Sequence, residues 1–212
     1  QKVLSHFPDA KVLGVTATAD RSDRKNLGQY FDSLAYEYKL PQAIKDGYLT
    51  PIKALTIPLT LDISQVKQTA GDYSAHQLGD ALAPYLEQIA DEIAKQCQQR
   101  KTVVFLPLVQ MAKDFTNLLQ KRGLTATEVD GNSENRETII NDFANGKYQV
   151  LCNSMLLTEG WDCPEVDCIV VLRPTRSRAL YTQMVGRGTR LAPNKKELLL
   201  LDFLWNTEKL EL

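Results

Sequence analysis

The sequence predicts an α/β fold, a doubly wound parallel sheet with helices on both faces. Three observations predict it. Short runs between residues 102 and 202 are almost continuously apolar, which is typical of strands buried on both faces. Segments with apolar residues at helical spacing lie between these runs. Glycines or helix-capping residues bound several of those segments. Buried strands that alternate with amphipathic helices form parallel sheets covered by helices.

The elements after residue 100 follow this pattern in order. The first strand is predicted over 102–106, and apolar residues at helical spacing over 109–119 predict a helix that Gly123 ends. Ser133 can cap a second helix, which Gly146 ends. The other predicted elements are strands over 125–129, 148–152, 168–172 and 198–202, and a helix over 178–185.

The first hundred residues are less regular, with three prolines and a glycine in a connector over 40–63. Four elements are predicted there: a strand over 11–15, a helix from Ser22 or Asp23 to Tyr30, a strand near 54–61 and a helix over 78–99. One strand and one helix cannot form a doubly wound sheet. Residues 1–40 are therefore interpreted as the tail of a neighbouring domain and a hinge, and 41–212 as the main domain.

Composition narrows the function classes. The 212 residues carry a net charge of -1, which excludes a histone-like basic protein, and 43% hydrophobic residues argue against disorder. The charge is segregated: residues 168–196 hold five arginines, two lysines and no acid, whereas the rest of the chain is acidic. This segregation indicates one surface that meets anions.

The four cysteines give no sign of a metal site. They form no C-x-x-C pair and only two histidines accompany them, so a zinc site is not expected. Cys152 and Cys168 fit apolar strand positions, and reduced thiols fit a cytoplasmic protein. No apolar run is long enough for a membrane span, and no signal peptide is recognised.

Residues 183–190, Gln-Met-Val-Gly-Arg-Gly-Thr-Arg, hold the strongest chemical pattern. Arg187 and Arg190 are three residues apart, which predicts one side of a helical turn, and a glycine before each would let the backbone approach a ligand. Guanidinium groups match phosphate oxygens, so the pair suits an arginine finger that reaches a nucleotide phosphate. A solvated arginine surface is the alternative interpretation.

Two shorter patterns lie at predicted strand ends. Residues 156–164 combine glycine, aspartate and proline in a tight loop that could offer N–H groups to phosphate and a carboxylate to a ribose. A structural turn with Trp161 in the core is the alternative. Residues 15–21 contain Thr16 and Thr18, whose hydroxyls could bond across an interface or cap a helix.

Together, in this order and spacing, these patterns resemble superfamily 2 helicases of the DEAD/DEAH-box and type I/III restriction-subunit branch. Residues 16–18 are similar to motif III, 102–106 to motif IV, 158–164 to motif V and 183–190 to motif VI. The resemblance implies a RecA-like fold for the main domain, with 1–40 as the tail of a first RecA-like domain.

The resemblance also implies residue roles. Arg187 and Arg190 would contact the terminal phosphate of ATP held by the preceding domain, and Gln183 would read the nucleotide state. Asp162 and Gly160 would touch the ribose or phosphates. The residues implied near the nucleic-acid backbone are Thr158, Gly131 and Arg136, and those implied to couple hydrolysis to binding are Thr16 and Thr18.

One half of the family's nucleotide site is missing from the pattern. The chain holds no G-x-x-x-x-G-K-[ST] loop, and Asp91-Glu92 lies in a predicted helix rather than at a strand end. We therefore expect that ATP and Mg²⁺ bind in the full-length protein, with the missing elements upstream of Gln1. The chain alone should bind neither and lack ATPase activity. Expected partners are nucleic acid, DNA rather than RNA, and the first motor domain of the same chain, with no membrane.

Two other function classes remain open. A non-motor protein could retain the fold as a binding or scaffolding module. The presence of both Arg187 and Arg190 favours the motor, since a scaffold does not need them. The other class is a free-standing small-ligand domain, against which the missing glycine-rich phosphate loop argues.

Overall fold

The computed structural model describes residues 6–7, 9–16, 31–59, 61, 63–69, 72–158, 160–204 and 206–209. Residues 9–16 form no strand, so the prediction over 11–15 is wrong. Leu13 and Val15 are exposed there, because no strand of the described sheets pairs with them. The helix predicted up to Tyr30 lies outside the described residues.

The helices are α1 (Leu40–Lys45), α2 (Ala75–Leu82), α3 (Leu86–Gln96), α4 (Val109–Lys121), α5 (Arg136–Ala144), α6 (Arg178–Gly186) and α7 (Asn206–Lys209). The strands are β1 (Ile52–Thr56), β2 (Gln68–Thr69), β3 (Asp72–Tyr73), β4 (Thr102–Phe105), β5 (Ala126–Val129), β6 (Val150–Asn153), β7 (Cys168–Val171) and β8 (Leu198–Asp202). Two 3₁₀ helices span Ala83–Tyr85 and Leu156–Thr158. Within the described ranges, no helix is both long and apolar enough to cross a membrane.

The main sheet has six strands in the order β1-β8-β7-β4-β6-β5, and every neighbouring pair is parallel. The predicted α/β class is therefore confirmed. From β4 the chain runs to β5 at the edge of the sheet, returns to β6 beside β4, and then crosses to β7 on the other side of β4. Ligand sites of doubly wound sheets lie where the strand order reverses in this way. The loop between β6 and β7, residues 154–167, makes this crossing.

The core has two halves, one on each face of the sheet. In β4, Val104 points to the half covered by α3 and α4, whereas Val103 and Phe105 point to the half covered by α5 and α6. All four residues of β4, β6 and β7 are buried. Cys152 and Cys168 are among them, as predicted.

The structure differs from the sequence predictions mainly before β4. The single helix predicted over 78–99 is broken by a 3₁₀ turn that contains Pro84, a residue that cannot donate an intrahelical hydrogen bond. The predicted connector instead begins with α1, which takes Pro41 in its first turn. Asp91 lies on α3, exposed and paired with Arg122 at 2.6 Å, in agreement with the solvated helix face that we expected.

Candidate nucleotide and nucleic-acid interface

The loop that leaves β6 is fixed to the sheet at its start. The Asn153 side chain donates to the Val104 carbonyl (3.1 Å) and accepts from the N–H of Leu157 (3.3 Å). Thr158, predicted to lie near nucleic acid, is buried, and its hydroxyl donates to the Met155 carbonyl at 2.7 Å. Thr158 therefore presents its carbonyl, rather than its hydroxyl, to the rest of the site.

The middle of this loop combines a flexible backbone position with a buried anchor. Gly160 adopts φ +69°, a left-handed conformation that glycine accepts without strain. Trp161 is buried and packs against Phe143 with ring centroids 6.1 Å apart. The interpretation of Trp161 as a core residue is thus confirmed, and its burial leaves Asp162 at the surface.

The arginine pair follows α6. The Ser177 hydroxyl accepts from the N–H of Leu180 and starts the helix, and Gln183 is half-buried on it. The helix ends at Gly186, so the arginines lie beyond it and not on a regular helical turn. The chain continues as a tighter turn of 3₁₀ type, in which N–H groups donate to carbonyls three residues earlier. One of these bonds joins the Arg187 N–H to the Met184 carbonyl (3.3 Å).

The two glycines of this turn differ in what surrounds them. A Cβ on Gly188 would overlap the Leu198 side chain and lie 2.9 Å from Ile169, whereas a Cβ on Gly186 would meet open space. The expectation that both glycines allow ligand approach is thus wrong for Gly188. Its missing side chain lets the turn pack directly on β7 and β8.

Arg187 is bonded to the β6–β7 loop. Its guanidinium donates twice to the Thr158 carbonyl, at 3.1 and 2.7 Å, and once to the Trp161 carbonyl at 2.7 Å. Hydrogen bonds from a charged donor are among the stronger ones in proteins. Arg187 thus joins two segments that are 29 residues apart in the sequence.

Arg190 meets the same loop through a looser contact. Its Nη1 lies 2.7 Å from Oδ1 of Asp162, and the side chains are 35% and 66% exposed. Nη1 is not aligned for a hydrogen bond, so the contact is an ion pair without one. We call Thr158, Trp161, Asp162, Arg187 and Arg190 the arginine junction.

Two residues that sequence reasoning missed hold the Arg190 backbone. The Thr50 hydroxyl donates to the Arg190 carbonyl at 3.0 Å, and the Lys195 ammonium donates to it at 2.8 Å. Thr50 is 140 positions away from Arg190, and no sequence pattern marks it. Lys195 belongs to the acid-free segment 168–196, but nothing distinguishes it there from the other basic residues.

The loop that leaves β5, residues 130–136, forms a second surface, which we call the β5 exit loop. Buried Asp130 accepts from the N–H of Asn132 (2.6 Å), and its pKa is lowered mainly by that bond. Ser133 does not cap α5 as predicted. Its hydroxyl instead accepts from the N–H of Asp130, because the loop closes on itself before the helix begins at Arg136.

The β5 exit loop leaves its two predicted contact residues accessible. Gly131 and Arg136 are exposed, and Lys113 of α4 reaches Asp130 at 3.4 Å from the neighbouring helix. The loop follows a strand that pairs with β6 in parallel, so it lies at the same sheet edge as the start of the β6–β7 loop. The hydrogen bonds of Asp130 hold the backbone of this surface.

The arginines after β7 divide into two kinds. Arg173 is largely buried and lies 3.9 Å from Asp72. Asp72 belongs to the β2–β3 hairpin, and this hairpin was not predicted from the sequence. Asp72 also accepts from the Thr175 hydroxyl and the Arg176 N–H, both at 2.9 Å. Arg176 and Arg178 are exposed.

Of the residues assigned to motif III, the structure describes Thr16. Thr16 is exposed, in a segment without regular structure, and Thr18 lies outside the described residues. The coupling role of both residues stays a prediction. Among the described residues, no group of three or more histidine, cysteine, aspartate or glutamate side chains could hold a metal ion.

Comparisons with known proteins point to one family. The model of the helicase conserved C-terminal domain matches residues 84–192. The chain is 30% identical to IRC3 of Saccharomyces cerevisiae, a proposed ATP-dependent helicase, over 96% of this chain and 32% of that protein. It is 32% identical to the proposed mitochondrial helicase irc3 of Schizosaccharomyces pombe, over 95% of this chain and 35% of that protein.

A solved structure gives the same family. A fragment of a proposed HsdR subunit of a type I restriction enzyme from Vibrio vulnificus is similar to this chain, with a TM-score of 0.77 and 25% identity. The similarity covers 95% of this chain and 41% of that one. The chain spans about a third of the length of the two yeast relatives.

Proposed function

Since this chain belongs to the helicase conserved C-terminal domain family of superfamily 2, we propose that it is the second half of an ATP-dependent motor on nucleic acid. In this proposal a first domain binds ATP and Mg²⁺, and this chain supplies Arg190 and Arg187 to the nucleotide. Residues 1–40 would be the tail of that first domain. A cytoplasmic location also stays a prediction, since the name of the fission-yeast relative places that protein in mitochondria.

The arginine junction is the observation that carries the proposal. Two guanidinium groups from one turn meet a single loop, and Asp162 is the acid among the five described residues that define the junction. Both groups fit an anionic ligand, because guanidinium pairs with phosphate oxygens in two-pronged geometry. When bound, Mg²⁺-ATP would supply the phosphoryl group that is transferred to water.

Arg190 is the better candidate for direct contact with the terminal phosphate. Its ion pair with Asp162 is partly exposed and lacks an aligned hydrogen bond, so breaking it costs little free energy. Arg187 would lose three hydrogen bonds if it moved to a ligand. We therefore assign Arg190 to the phosphate and Arg187 to holding the loop, with contact to the nucleotide when the domains close.

Asp162 then has two successive partners. In the present structure it pairs with Arg190; when Arg190 moves to the phosphate, the released carboxylate becomes available to accept from a ribose hydroxyl. Gly160 allows the loop backbone to adjust, since its left-handed conformation carries little strain. Gln183, half-buried on α6 one turn before Arg187, would respond to the same closure.

The β5 exit loop is the proposed contact to the nucleic-acid backbone. Gly131 and Arg136 are exposed there. Arg136 opens α5, where the helix dipole disfavours a cation, and a bound phosphate would offset that cost. Contacts of this kind give affinity without reading the base sequence. Thr158 would join this surface through its backbone, since its hydroxyl is bonded to Met155.

The test is Arg190→Ala in the full-length protein. An arginine finger contributes about 10³-fold or more to kcat, so we expect turnover to fall by about that factor. Nucleic-acid affinity should change less than about twofold, because phosphate contacts on another surface carry it. Equal losses of both, or unchanged turnover, would overturn the finger role. ATP hydrolysis by the pure 212-residue chain would overturn the two-domain assignment.

A further inference from the structure

Lys195 joins two carbonyl groups that belong to different segments of the site. Its ammonium donates to the Pro164 carbonyl at 2.9 Å and to the Arg190 carbonyl at 2.8 Å. Pro164 lies at the far end of the β6–β7 loop and Arg190 at the end of the turn after α6. One side chain therefore fixes the distance between these two backbone segments.

These bonds close a ring with the ion pair of the arginine junction. Asp162 is two residues before Pro164, and its carboxylate lies 2.7 Å from the Arg190 guanidinium. The ring runs from the Asp162 side chain along the chain to Pro164, through Lys195 to the Arg190 carbonyl, and back along the Arg190 side chain. Loss of Lys195 opens the ring at its backbone side, and the loop and the turn are then joined by the partly exposed ion pair and by the hydrogen bonds of Arg187.

The Arg190 carbonyl is held by a second donor as well. Thr50, in the segment before β1, donates its hydroxyl to the same oxygen, and its N–H donates to the Thr189 carbonyl at 2.7 Å. Thr50 holds the turn against the edge of the sheet, since β1 begins two residues later. Lys195 is the donor that connects the Arg190 carbonyl to the loop carrying Asp162.

The surroundings of Lys195 disfavour its positive charge, yet the charged ammonium makes two hydrogen bonds. Burial lowers the pKa of Lys195 to about 8. Asp167, Cys163 and Glu165 face the ammonium and oppose this shift, whereas Arg190 adds to it. A lysine that served only to cover the surface would keep its ammonium in water.

We propose that Lys195 is a positioning residue for Arg190, because its ammonium holds the Pro164 and Arg190 carbonyls and thereby sets the Arg190 guanidinium relative to the loop that carries Asp162. The inference rests on the proposed function of Arg190. Lys195 itself touches no nucleotide in this scheme. It acts on the step in which Arg190 leaves Asp162 and reaches the phosphate, because a displaced backbone would misplace the guanidinium.

The experiment compares Lys195→Met, Lys195→Arg and the adjacent control Lys196→Met in the full-length protein. Lys196 is exposed and has the same charge and length. We expect Lys195→Met to lower kcat about tenfold or more with KM for ATP and nucleic-acid affinity within about twofold, since misplacement by about 1 Å can cost about a hundredfold. Lys195→Arg keeps charged donors and should recover most of kcat, and Lys196→Met should match the wild type.

The pH dependence of kcat distinguishes a positioning role of Lys195 from an effect on stability alone. As pH rises through about 8, Lys195 loses its proton and its bonds to both carbonyls weaken, so kcat of the wild type should fall. The free energy of unfolding should move the other way. The pKa is lower in the folded protein than the ordinary 10.5, so deprotonation favours the folded state between about 8 and 10.5. Lys195→Arg should remove the fall in kcat.

Each negative result has a different consequence for the positioning role and for the proposed function. If Arg190→Ala abolishes turnover but Lys195→Met keeps kcat within twofold, the positioning role is wrong and the proposed function stands. If Arg190→Ala leaves kcat unchanged, the proposed function itself fails. If Lys195→Met does not fold, the Arg variant and the wild-type pH profile decide. A wild-type kcat that is flat from pH 7 to 9.5 would overturn the inference.

Discussion

The arginine junction and the β5 exit loop each bring arginine to a loop that leaves a parallel strand, yet they are built in opposite ways. In the junction the arginine side chains are already engaged, Arg187 with carbonyls and Arg190 with Asp162. In the exit loop the engaged groups belong to Asp130, and Arg136 is exposed. A ligand at the junction must displace an internal partner, whereas a ligand at the exit loop meets a preformed surface.

This difference distinguishes a site that exchanges partners on ligand binding, the junction, from a surface that keeps its shape, the exit loop. A site that exchanges internal for external partners couples ligand binding to a change of shape, because the released groups must find new contacts. A preformed surface contributes affinity with little rearrangement. We therefore expect the junction to govern turnover and the exit loop to govern affinity, and the following substitutions can break or sharpen that division.

The largest effect should come from Arg187→Ala. Turnover of the full-length protein should fall about 10³-fold, as for Arg190→Ala. The two should differ in stability. Arg187→Ala leaves the Thr158 and Trp161 carbonyls without three donors and should cost about 2–4 kcal/mol of unfolding free energy. Arg190→Ala removes a partly exposed ion pair and should cost less than about 1 kcal/mol.

Urea denaturation of the 212-residue chain measures the stability difference directly. Arg122→Ala, far from the junction on the α3–α4 surface, serves as the control for loss of a bonded arginine. Equal stability of the Arg187 and Arg190 variants would show that the hydrogen bonds of Arg187 do not hold the loop, and the division of labour within the junction would be wrong.

Gly188→Ala should come next. Its Cβ would overlap Leu198 and lie 2.9 Å from Ile169, so these side chains or the turn must shift. Overpacking of this kind costs about 1–3 kcal/mol. Gly186→Ala is the matched control, because a Cβ there meets open space and alanine favours the helix by up to about 1 kcal/mol. Thermal unfolding of both variants tests this; a destabilised Gly186→Ala and a neutral Gly188→Ala would contradict the packing argument.

The sequence predicted the sheet better than the site. The strands β4, β6, β7 and β8 are buried on both faces, so they are almost entirely apolar and easy to recognise. The residues of motifs V and VI stand out in the sequence, because glycine, arginine and aspartate in fixed spacing indicate phosphate chemistry, and their roles stay predictions. Their contacts do not stand out, since a spacing does not tell which carbonyl a guanidinium will meet.

The residues that were missed share one physical reason. Thr50, Asp72 and Lys195 act through hydrogen bonds to segments between 5 and 140 positions away, and each is an ordinary polar residue in its own neighbourhood. Ser133 shows the converse error. It has the residue type and place of a helix cap, but the Asp130 turn uses its hydroxyl first. Local propensity could not rank these partners, because tertiary contacts decide between them.

Arg136→Ala tests the other side of the comparison. Removal of one phosphate contact should weaken nucleic-acid binding a few-fold and lower the salt dependence of log K by about 0.7–0.9. Turnover at saturating nucleic acid should stay within about twofold. Lys121→Ala is the control, since Lys121 is exposed at the end of α4 and so lies toward the opposite edge of the sheet. Fluorescence anisotropy at several salt concentrations measures both variants; an unchanged slope for Arg136→Ala would remove this residue from the interface.

The smallest effect is expected at Asp130, whose hydrogen bonds hold the exit loop in place. The N–H of Asn132 lowers the pKa of Asp130 below 3.8, so the ionised carboxylate stabilises the fold above that pH and loses this contribution as pH falls through the folded-state value. Asp130→Asn should therefore cost about 1 kcal/mol or less at pH 6, and the cost should be smaller at pH 3. Asp114→Asn, on the exposed face of α4, is the matched control for loss of a surface carboxylate. Denaturation at both pH values measures the difference. A penalty as large at pH 3 as at pH 6 would show that the shape of the side chain, and not its charge, preforms the exit loop.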